Sequence, residues 1–219
     1  MSLAIFDLDN TLLADDSDYL WGRFLVTLGV VDGEWYEKEN QRFYDDYKSG
    51  KLDIFEFLSF ALAPLAEHDM ETLDSWHARF MDECIHPVML SKAQALVDKH
   101  RAAGDTLLII TATNHFVTAP IAASYGINNL LATDPEMVDG RFTGKVSGTP
   151  CFREGKVERL KEWLVEHPHD LSEASFYSDS LNDLPLLSMV GHPVAVDADD
   201  TLRAHAEQVG WQQISLRDE

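Results

Sequence analysis

Short apolar runs alternate with amphipathic stretches over much of the chain. An apolar run at 3–6 lies near the start and meets Asp7 and Asp9 without a polar lead-in. Such a run predicts a strand buried on both faces, as in a parallel sheet. Four further strands are predicted at 106–111, 129–133, 174–177 and 193–196. Helical patterns are predicted at 88–103, 116–125, 156–165 and 181–189, and an Asp-Gly turn predicts a hairpin over 137–143.

Strands that alternate with helices indicate the α/β class, with a Rossmann-like parallel sheet flanked by helices. The stretch from 14 to 86 differs, because its apolar positions recur at helical spacing and its Trp, Tyr and Phe residues stand among acids. We predict three or four helices and no strand there. The expected organisation is a core of residues 1–13 and 87–219 with an all-helical cap, residues 14–86, inserted after the first strand.

Net charge limits the classes of partner. The 219 residues include 17 Lys and Arg against 38 Asp and Glu, a formal net charge of -21. This excess of acid argues against nucleic acid and anionic membranes, which both bind basic surfaces. No apolar run approaches the roughly 20 residues of a membrane span, and the first residues do not resemble a signal peptide. Cys84 and Cys151 form neither a metal-ligand spacing nor a disulfide framework. We expect a cytoplasmic monomer or homodimer.

Polar residues cluster where the predicted strands end, which is where open parallel sheets bind ligands. The first strand leads into Asp7 and Asp9, the second ends in Thr111, and the fourth leads into Asp179 and Asp183. Several carboxylates in one cleft repel each other unless a cation lies among them. Oxygen ligands of this kind favour Mg²⁺, so the sequence predicts a magnesium site.

The same residues occur in the order of four motifs that characterise the haloacid dehalogenase superfamily of phosphohydrolases, which the chain resembles. Asp7-Leu8-Asp9-Asn10-Thr11 is similar to the first motif, Thr111 to the second, Lys156 to the third and the segment 178–183 to the fourth. A helical insert directly after the first motif resembles the phosphoserine phosphatase-like subfamily, in which it caps the active site.

The resemblance implies a phosphomonoester hydrolase that uses Mg²⁺ and forms an aspartyl-phosphate. Asp7 would be the nucleophile, while Asp9 would protonate the leaving alkoxide and then activate water. Thr111 would bind a phosphoryl oxygen, and Lys156 would neutralise charge on the phosphate and the nucleophile. The side chains of Asp7 and Asp179 and the main-chain carbonyl of Asp9 would hold Mg²⁺. The residues expected to support this set are Asn182 and Asp183, with Asp183 binding the metal through water or orienting Asp179.

The substrate is expected to be a small phosphomonoester that carries an amine. Asp16 stands where members of the subfamily place an acid for the substrate amine, whereas Ala61 stands where they place an arginine for a carboxylate. A substrate carboxylate would therefore be buried without a bidentate partner, which is costly. L-Histidinol phosphate fits this chemistry, and phosphoserine is the alternative. The residues expected to contact the substrate are Asp16, Tyr19, Trp21, Phe57, Phe60, Ala112 and His115.

Three other classes share parts of this pattern. A phospho-acceptor signalling domain combines Asp, Thr, Lys and Mg²⁺, but lacks an acid two residues after the nucleophile and a long insert. A dehalogenase of the same superfamily needs neither Asp9 nor a metal. A binding module with a degenerate site would lack some catalytic residues, whereas every expected position is filled here.

Overall fold

The computed structural model describes residues 2–217 and contains a single mixed sheet. Its strands are β1 (Leu3–Phe6), β2 (Thr106–Asn114), β3 (Asn129–Val138), β4 (Arg141–Ser147), β5 (Ser175–Ser178), β6 (His192–Val196) and β7 (Gln212–Ile214). They lie in the order β4-β3-β2-β1-β5-β6-β7, and every neighbouring pair is parallel except the β3–β4 hairpin. The predicted α/β class with a parallel sheet flanked by helices is confirmed.

Four α-helices lie in the stretch 14–86, in agreement with its helical pattern: α1 (Ser17–Leu28), α2 (Gly33–Lys48), α3 (Ile54–Ala66) and α4 (Met70–Phe80). A π-helical turn at Met81–Ile85 and a 3-10 turn at His86–Val88 follow them. The later helices are α5 (Ser91–Ala103), α6 (His115–Ser124), α7 (Glu154–Glu166), α8 (Leu184–Leu187) and α9 (Asp200–Val209). Among the helices of residues 2–217, none has the length and apolar character needed to cross a bilayer.

Proline residues account for two differences from the predicted helices. The helix predicted from residue 88 begins at Ser91, because Pro87 lies in the preceding 3-10 turn. The helix predicted over 181–189 divides into a 3-10 turn at Leu181–Asp183 and the short α8. Pro185 stands in the first turn of α8, where its missing N–H breaks no helical hydrogen bond.

The C-terminal α9 and β7 were not predicted, and β2 is longer than expected. α9 buries Leu202 and Ala206, which stand four residues apart as on one helical face, so hydrophobic spacing also indicated this helix. Its ends carry clear signals, since the Asp199 side chain accepts two amides of the first turn and Gly210 closes the helix with a φ of 77°. β2 continues to Asn114, three residues beyond the predicted end at 111.

The sheet is buried on both faces, which explains the continuous apolar runs. Ala4 and Phe6 of β1 pack into the cluster that includes α1, α3, α5 and α6. Leu3 and Ile5 point to the opposite face and pack with residues of α7, α8 and α9. At the edge of the sheet, the β3–β4 hairpin packs on α3, where a Cβ added at Gly144 would lie 3.4 Å from the Cβ of Ala66. This contact holds α3 against the hairpin.

Candidate active site

The residues after β1 meet the ends of β2 and β5, because these three strands are neighbours in the sheet. The amide of Asp7 donates to the carbonyl of Tyr177 at 2.9 Å, so Asp7 still follows the path of the strand. The chain then turns sharply around Leu8, whose carbonyl accepts the amides of Leu12 and Leu13 at 2.9 and 3.0 Å. The bend directly after Asp7 lets the next side chains return over the edge of the sheet.

Lys156 forms ion pairs with two buried carboxylates at the carboxyl ends of the strands. Its Nζ lies 2.9 Å from Oδ1 of Asp7 and 2.7 Å from Oδ1 of Asp183, and all three side chains are buried. The Ser178 hydroxyl donates to Oδ2 of Asp183 at 2.7 Å. Burial opposes the charge of Lys156, but Asp183 and Asp7 outweigh it and raise its pKa above the usual range. Asp183 therefore holds Lys156 in place.

Negative charge exceeds positive charge in this cluster. Burial raises the pKa of Asp7 to about 7. Burial, with the charges of Asp7 and Asp183, also raises the pKa of Asp179 well above its usual range. The Thr11 hydroxyl donates to Oδ1 of Asp179 at 3.0 Å and fixes that carboxylate. When all three carboxylates are ionised, the one ammonium of Lys156 leaves two negative charges, which a divalent cation would offset.

The donor set fits Mg²⁺ better than a metal that needs a dense cluster of side chains. Within residues 2–217, no three Asp, Glu, His or Cys side chains form a ready-made metal cluster. Mg²⁺ is commonly bound through one or two carboxylates and keeps water or substrate phosphate as its other ligands. Asp7 and Asp179 could supply these two carboxylates.

Asp9 is fixed by donors from α1 and β2. The Ser17 amide donates to its Oδ1 at 2.7 Å, and the Thr113 and Thr111 hydroxyls lie 2.8 and 3.2 Å from its Oδ2. Thr111, expected to face a phosphoryl oxygen, therefore donates to Asp9 in this structure. Thr113 was not predicted. Because β2 continues to Asn114, Thr111 and Thr113 stand two residues apart on one face of an extended strand.

A cavity opens beside Asp7 and Asp9, between the edge of the sheet and the early helices. Four of the predicted substrate residues line it, namely Asp16, Tyr19, Phe57 and Ala112. Its lining consists of carboxylates, aromatic rings, hydroxyls, one amide and aliphatic side chains. Among the described residues that line it there is no Lys, Arg or His. The cavity is therefore acidic and aromatic.

Two acids at the start of α1 give one wall of the cavity its charge. Asp16 caps the helix by accepting the Tyr19 amide at 2.8 Å. Burial, followed by the nearby charge of Asp9, raises the pKa of Asp16 well above its usual range and that of Asp18 to about 7. A bound cation favours the ionised form of a carboxyl group and would reverse these shifts. Asp18 was not predicted as a substrate residue, although it belongs to the same acidic stretch.

The structure places three predicted substrate residues outside the cavity. Trp21 is 1% exposed, and its ring packs edge-on against Phe80 with centroids 5.1 Å apart. The Phe60 ring packs against that of Tyr36 with centroids 4.3 Å apart, and Phe60 lines a separate groove between α2 and α3. His115 lines a separate groove between α4 and the β3–β4 hairpin. In each case the packing of the helices decides whether the side chain faces the cavity, and the residue type alone does not predict this.

One face of α2 lines the cavity and was missed from the sequence. It carries Asn40, Phe43, Tyr44 and Tyr47, which follow the i, i+3, i+4, i+7 spacing of a helical face. The spacing is visible in the sequence and predicts a shared face. Nothing in the sequence says that this face meets the ends of β1 and β2.

Asn182 and Arg153 bind the last turn of α2 and the loop that follows it. The Asn182 amide donates to the Tyr47 carbonyl at 3.1 Å. The Arg153 guanidinium donates to the carbonyl of Gly50, and its Nε donates to Oδ1 of Asn182 at 3.0 Å. Arg153 adopts a φ of 50°, which is strained for a residue with a side chain. Asn182, expected to support the metal ligands, thus connects the 181–183 turn to the helical segment.

Comparisons with known proteins agree with this arrangement. The family model for haloacid dehalogenase-like hydrolases matches residues 4–188. A histidinol-phosphatase of Neisseria meningitidis serogroup C (strain 8013) is 45% identical over 220 residues, which cover 99% of each chain. The phosphoserine phosphatase SerB1 of Mycobacterium tuberculosis (strain ATCC 25618 / H37Rv) is 32% identical over 95% of this chain and 69% of its own length. The solved structure of a protein with unknown function from Bordetella pertussis Tohama I is 44% identical, covers 99% of both chains and superposes with a TM-score of 0.92.

Proposed function

Because the chain belongs to the haloacid dehalogenase-like hydrolase family, we propose that this phosphatase hydrolyses L-histidinol phosphate to L-histidinol and phosphate. The proposed reaction uses Mg²⁺ and passes through a phosphoryl ester of Asp7. The observation that carries the proposal is the cavity beside Asp7, whose described lining pairs acids with aromatic rings and contains no cationic side chain.

The cavity favours a cationic, aromatic substrate over one that carries a carboxylate. Ionised Asp16 and Asp18 would each attract an ammonium group, which gains a charge-assisted hydrogen bond in a partly desolvated site. The carboxylate of phosphoserine would lie near these two acids without a cationic partner, which is unfavourable. The 45% identity to a histidinol-phosphatase supports the same choice. Phosphoserine is the alternative substrate, supported by the 32% identity to a phosphoserine phosphatase.

The proposed chemistry has two displacements at phosphorus. An Asp7 oxygen attacks the phosphorus while the bond to the ester oxygen breaks, and Asp9 gives its proton to the departing alkoxide. Asp9 then takes a proton from water, which attacks the same phosphorus and breaks the bond to Asp7. Lys156 lies 2.9 Å from Asp7 and offsets negative charge as it develops on the phosphoryl oxygens. Phosphate leaves and Asp7 is free again.

Mg²⁺ would be held by the carboxylates of Asp7 and Asp179, with the main-chain carbonyl of Asp9 as a further oxygen. When bound, it would neutralise charge on the phosphoryl group and on these acids. We further propose that residues 14–86 act as a cap on a core of residues 1–13 and 87–219. The support is that the cavity is lined jointly by α1, α2, α3 and the strand ends.

A phosphate-release screen in Mg²⁺ tests the proposed substrate. The panel contains L-histidinol phosphate, L-phosphoserine, a sugar phosphate and a nucleotide, and each rate is compared with and without EDTA. We expect L-histidinol phosphate to give the highest kcat/KM, and EDTA to abolish turnover until Mg²⁺ is restored. The Asp7→Asn variant, purified in parallel, controls for contaminating phosphatases. A higher kcat/KM for phosphoserine, a sugar phosphate or a nucleotide would refute the assignment, and full activity in EDTA would exclude the metal.

The stability of the metal-free protein should fall as the pH rises towards 7. Burial raises the pKa of both Asp7 and Asp18 to about 7, whereas an Asp in the unfolded chain titrates near about 3.9. Between these values the folded protein binds more protons than the unfolded chain, so the free energy of unfolding decreases with pH. In EDTA we expect a lower midpoint of thermal unfolding at about pH 8 than at about pH 5.5. Mg²⁺ should raise the midpoint at the higher pH; a midpoint that increases with pH in EDTA would contradict this account.

Asp18→Asn should weaken recognition of the substrate amine. We expect kcat/KM for L-histidinol phosphate to fall by about 10-fold to 100-fold, mainly through KM, because a charge-assisted hydrogen bond becomes a neutral one. Asp15→Asn is the matched control, since it removes one charge from the same acidic stretch. Asp15 accepts the Asp16 amide at 2.9 Å and does not line the cavity. Equal losses in the two variants would mean that only net charge matters.

A further inference from the structure

The amide of Asn40 is held in one orientation at the wall of the cavity. Its Nδ2 donates to the carbonyl of Tyr19 at 3.0 Å, and since a carbonyl can only accept, the nitrogen must be the atom that faces it. A Cβ added at Gly22 would lie 2.8 to 2.9 Å from Nδ2, Cγ and Oδ1 of Asn40, so the amide plane lies flat against the Gly22 backbone. The two contacts together fix which side of the amide carries Oδ1.

Oδ1 of Asn40 is left as an acceptor without a donor in the described part of the chain. Asn40 is only 5% exposed, yet it is one of the residues that line the cavity. When a ligand fills the cavity and excludes water from this acceptor, leaving it without a donor is costly. Nδ2 uses one of its two hydrogens on the Tyr19 carbonyl, and Oδ1 can only accept, so a ligand group that meets Oδ1 must supply an N–H or O–H.

Aromatic rings flank this acceptor on the same helical face. Phe43 and Tyr44 follow Asn40 at i+3 and i+4 on α2. Phe57 of α3 packs edge-on against Phe43 with ring centroids 5.3 Å apart, and it also lines the cavity. Tyr44 in turn packs against Tyr19, with centroids 5.0 Å apart. A planar ring between such walls gains stacking or edge contacts beyond the burial of its area.

We propose that this face of α2 is the subsite for a planar nitrogen heterocycle of the substrate, with Asn40 Oδ1 accepting a ring N–H. The inference rests on the proposed function and extends it, because it assigns the ring to α2 and leaves the ammonium group to the acids of α1. Asn40 is then the residue that separates an imidazole from a phenyl ring of similar size. Gly22 is a positioning residue, since it gives the amide the space to lie flat.

The test compares two substrates that differ in the ring. L-Histidinol phosphate and L-phenylalaninol phosphate share the amine, the phosphate and the connecting carbons, but only the first has a ring N–H. We expect the wild-type protein to prefer the first by at least about 100-fold in kcat/KM, because a site built to bond a polar group rejects an analogue that lacks it. In Asn40→Leu we expect this preference to fall by about 10-fold to 100-fold.

Gly22→Ala provides a second variant that leaves Asn40 itself unchanged. Alanine favours a helix over glycine, but its Cβ would displace the amide, so the preference should fall here as well. If thermal unfolding shows that Asn40→Leu does not fold, the substrate preference of Gly22→Ala tests the role of Asn40 instead. A folded Asn40→Leu protein with an unchanged preference would overturn the role of Asn40.

Two further outcomes separate this inference from the proposed function. If the wild-type protein prefers L-histidinol phosphate over phosphoserine but hydrolyses L-phenylalaninol phosphate equally well, the ring subsite is refuted and the proposed function stands. If the wild-type protein hydrolyses neither amino-alcohol phosphate and prefers another ester, the proposed function and the ring subsite both fail.

Discussion

Asp7→Asn is expected to lower kcat by at least about 10⁴-fold while the protein stays folded, because an amide cannot form the proposed phosphoryl ester. The folded state should tolerate the change, since Asn is neutral at a position where burial raises the pKa of the carboxyl group to about 7. Lys156 keeps its second partner, Asp183, at 2.7 Å. The measurement is phosphate release from L-histidinol phosphate, together with thermal unfolding of both proteins.

Intact-mass analysis of acid-quenched reactions completes this test. The wild-type protein should carry a phosphoryl group during turnover, and Asp7→Asn should carry none. Asp15→Asn, which changes a neighbouring acid outside the cavity, should behave like the wild-type protein. An Asp7→Asn protein that keeps a rate within about tenfold of the wild-type rate would remove Asp7 from the proposed role.

Asp9→Asn is expected to lower kcat by about 10²-fold to 10⁴-fold, the usual range for loss of a general acid and base. Both displacements should slow, because the alkoxide leaves without a proton and water is not activated. An activated ester such as p-nitrophenyl phosphate needs less help in the first step. With that ester the phosphorylated protein should therefore accumulate in Asp9→Asn.

The accumulated species is detected by quenching and intact-mass analysis. Thr113→Val is the matched comparison, because it removes one hydrogen bond to Asp9, of 2.8 Å, and leaves the carboxylate in place. Its effect on kcat should be much smaller than that of Asp9→Asn. Unimpaired dephosphorylation in Asp9→Asn would assign the activation of water to another group.

The sequence predicted the fold best where a buried strand and the acidic residues after it are adjacent in the chain. An apolar strand that leads directly into acids could be identified from residues 3–9 alone, because a buried parallel strand needs both faces apolar. The parallel sheet follows from alternation of strands and helices, and the structure confirms it. α9 was missed although Asp199 and Gly210 mark its ends and its buried residues, Leu202 and Ala206, stand at helical spacing.

The residues around the cavity were harder to predict, because they depend on how helices pack. Trp21 and Phe57 look alike in the sequence, since both are aromatic and stand on amphipathic helices. Packing buries Trp21 against other helices, whereas Phe57 lines the cavity beside Asp9. For the same reason, the sequence did not indicate that the α2 face beginning at Asn40 lines the cavity. Spacing along a helix predicts which residues share a face, but the partner of that face depends on the tertiary structure.

The hydrogen bonds from Asn182 to the last turn of α2 and from Arg153 to the loop after it have a mechanical consequence. Asn182 is next to Asp183, and Arg153 begins the helix that carries Lys156. A movement of α2 away from the strands would pull on the two segments that hold the ion pair between Lys156 and Asp183. A movement of α2 that lets substrate enter or product leave would also disturb the position of Lys156. The protein would therefore not exchange ligands and catalyse the reaction in the same conformation.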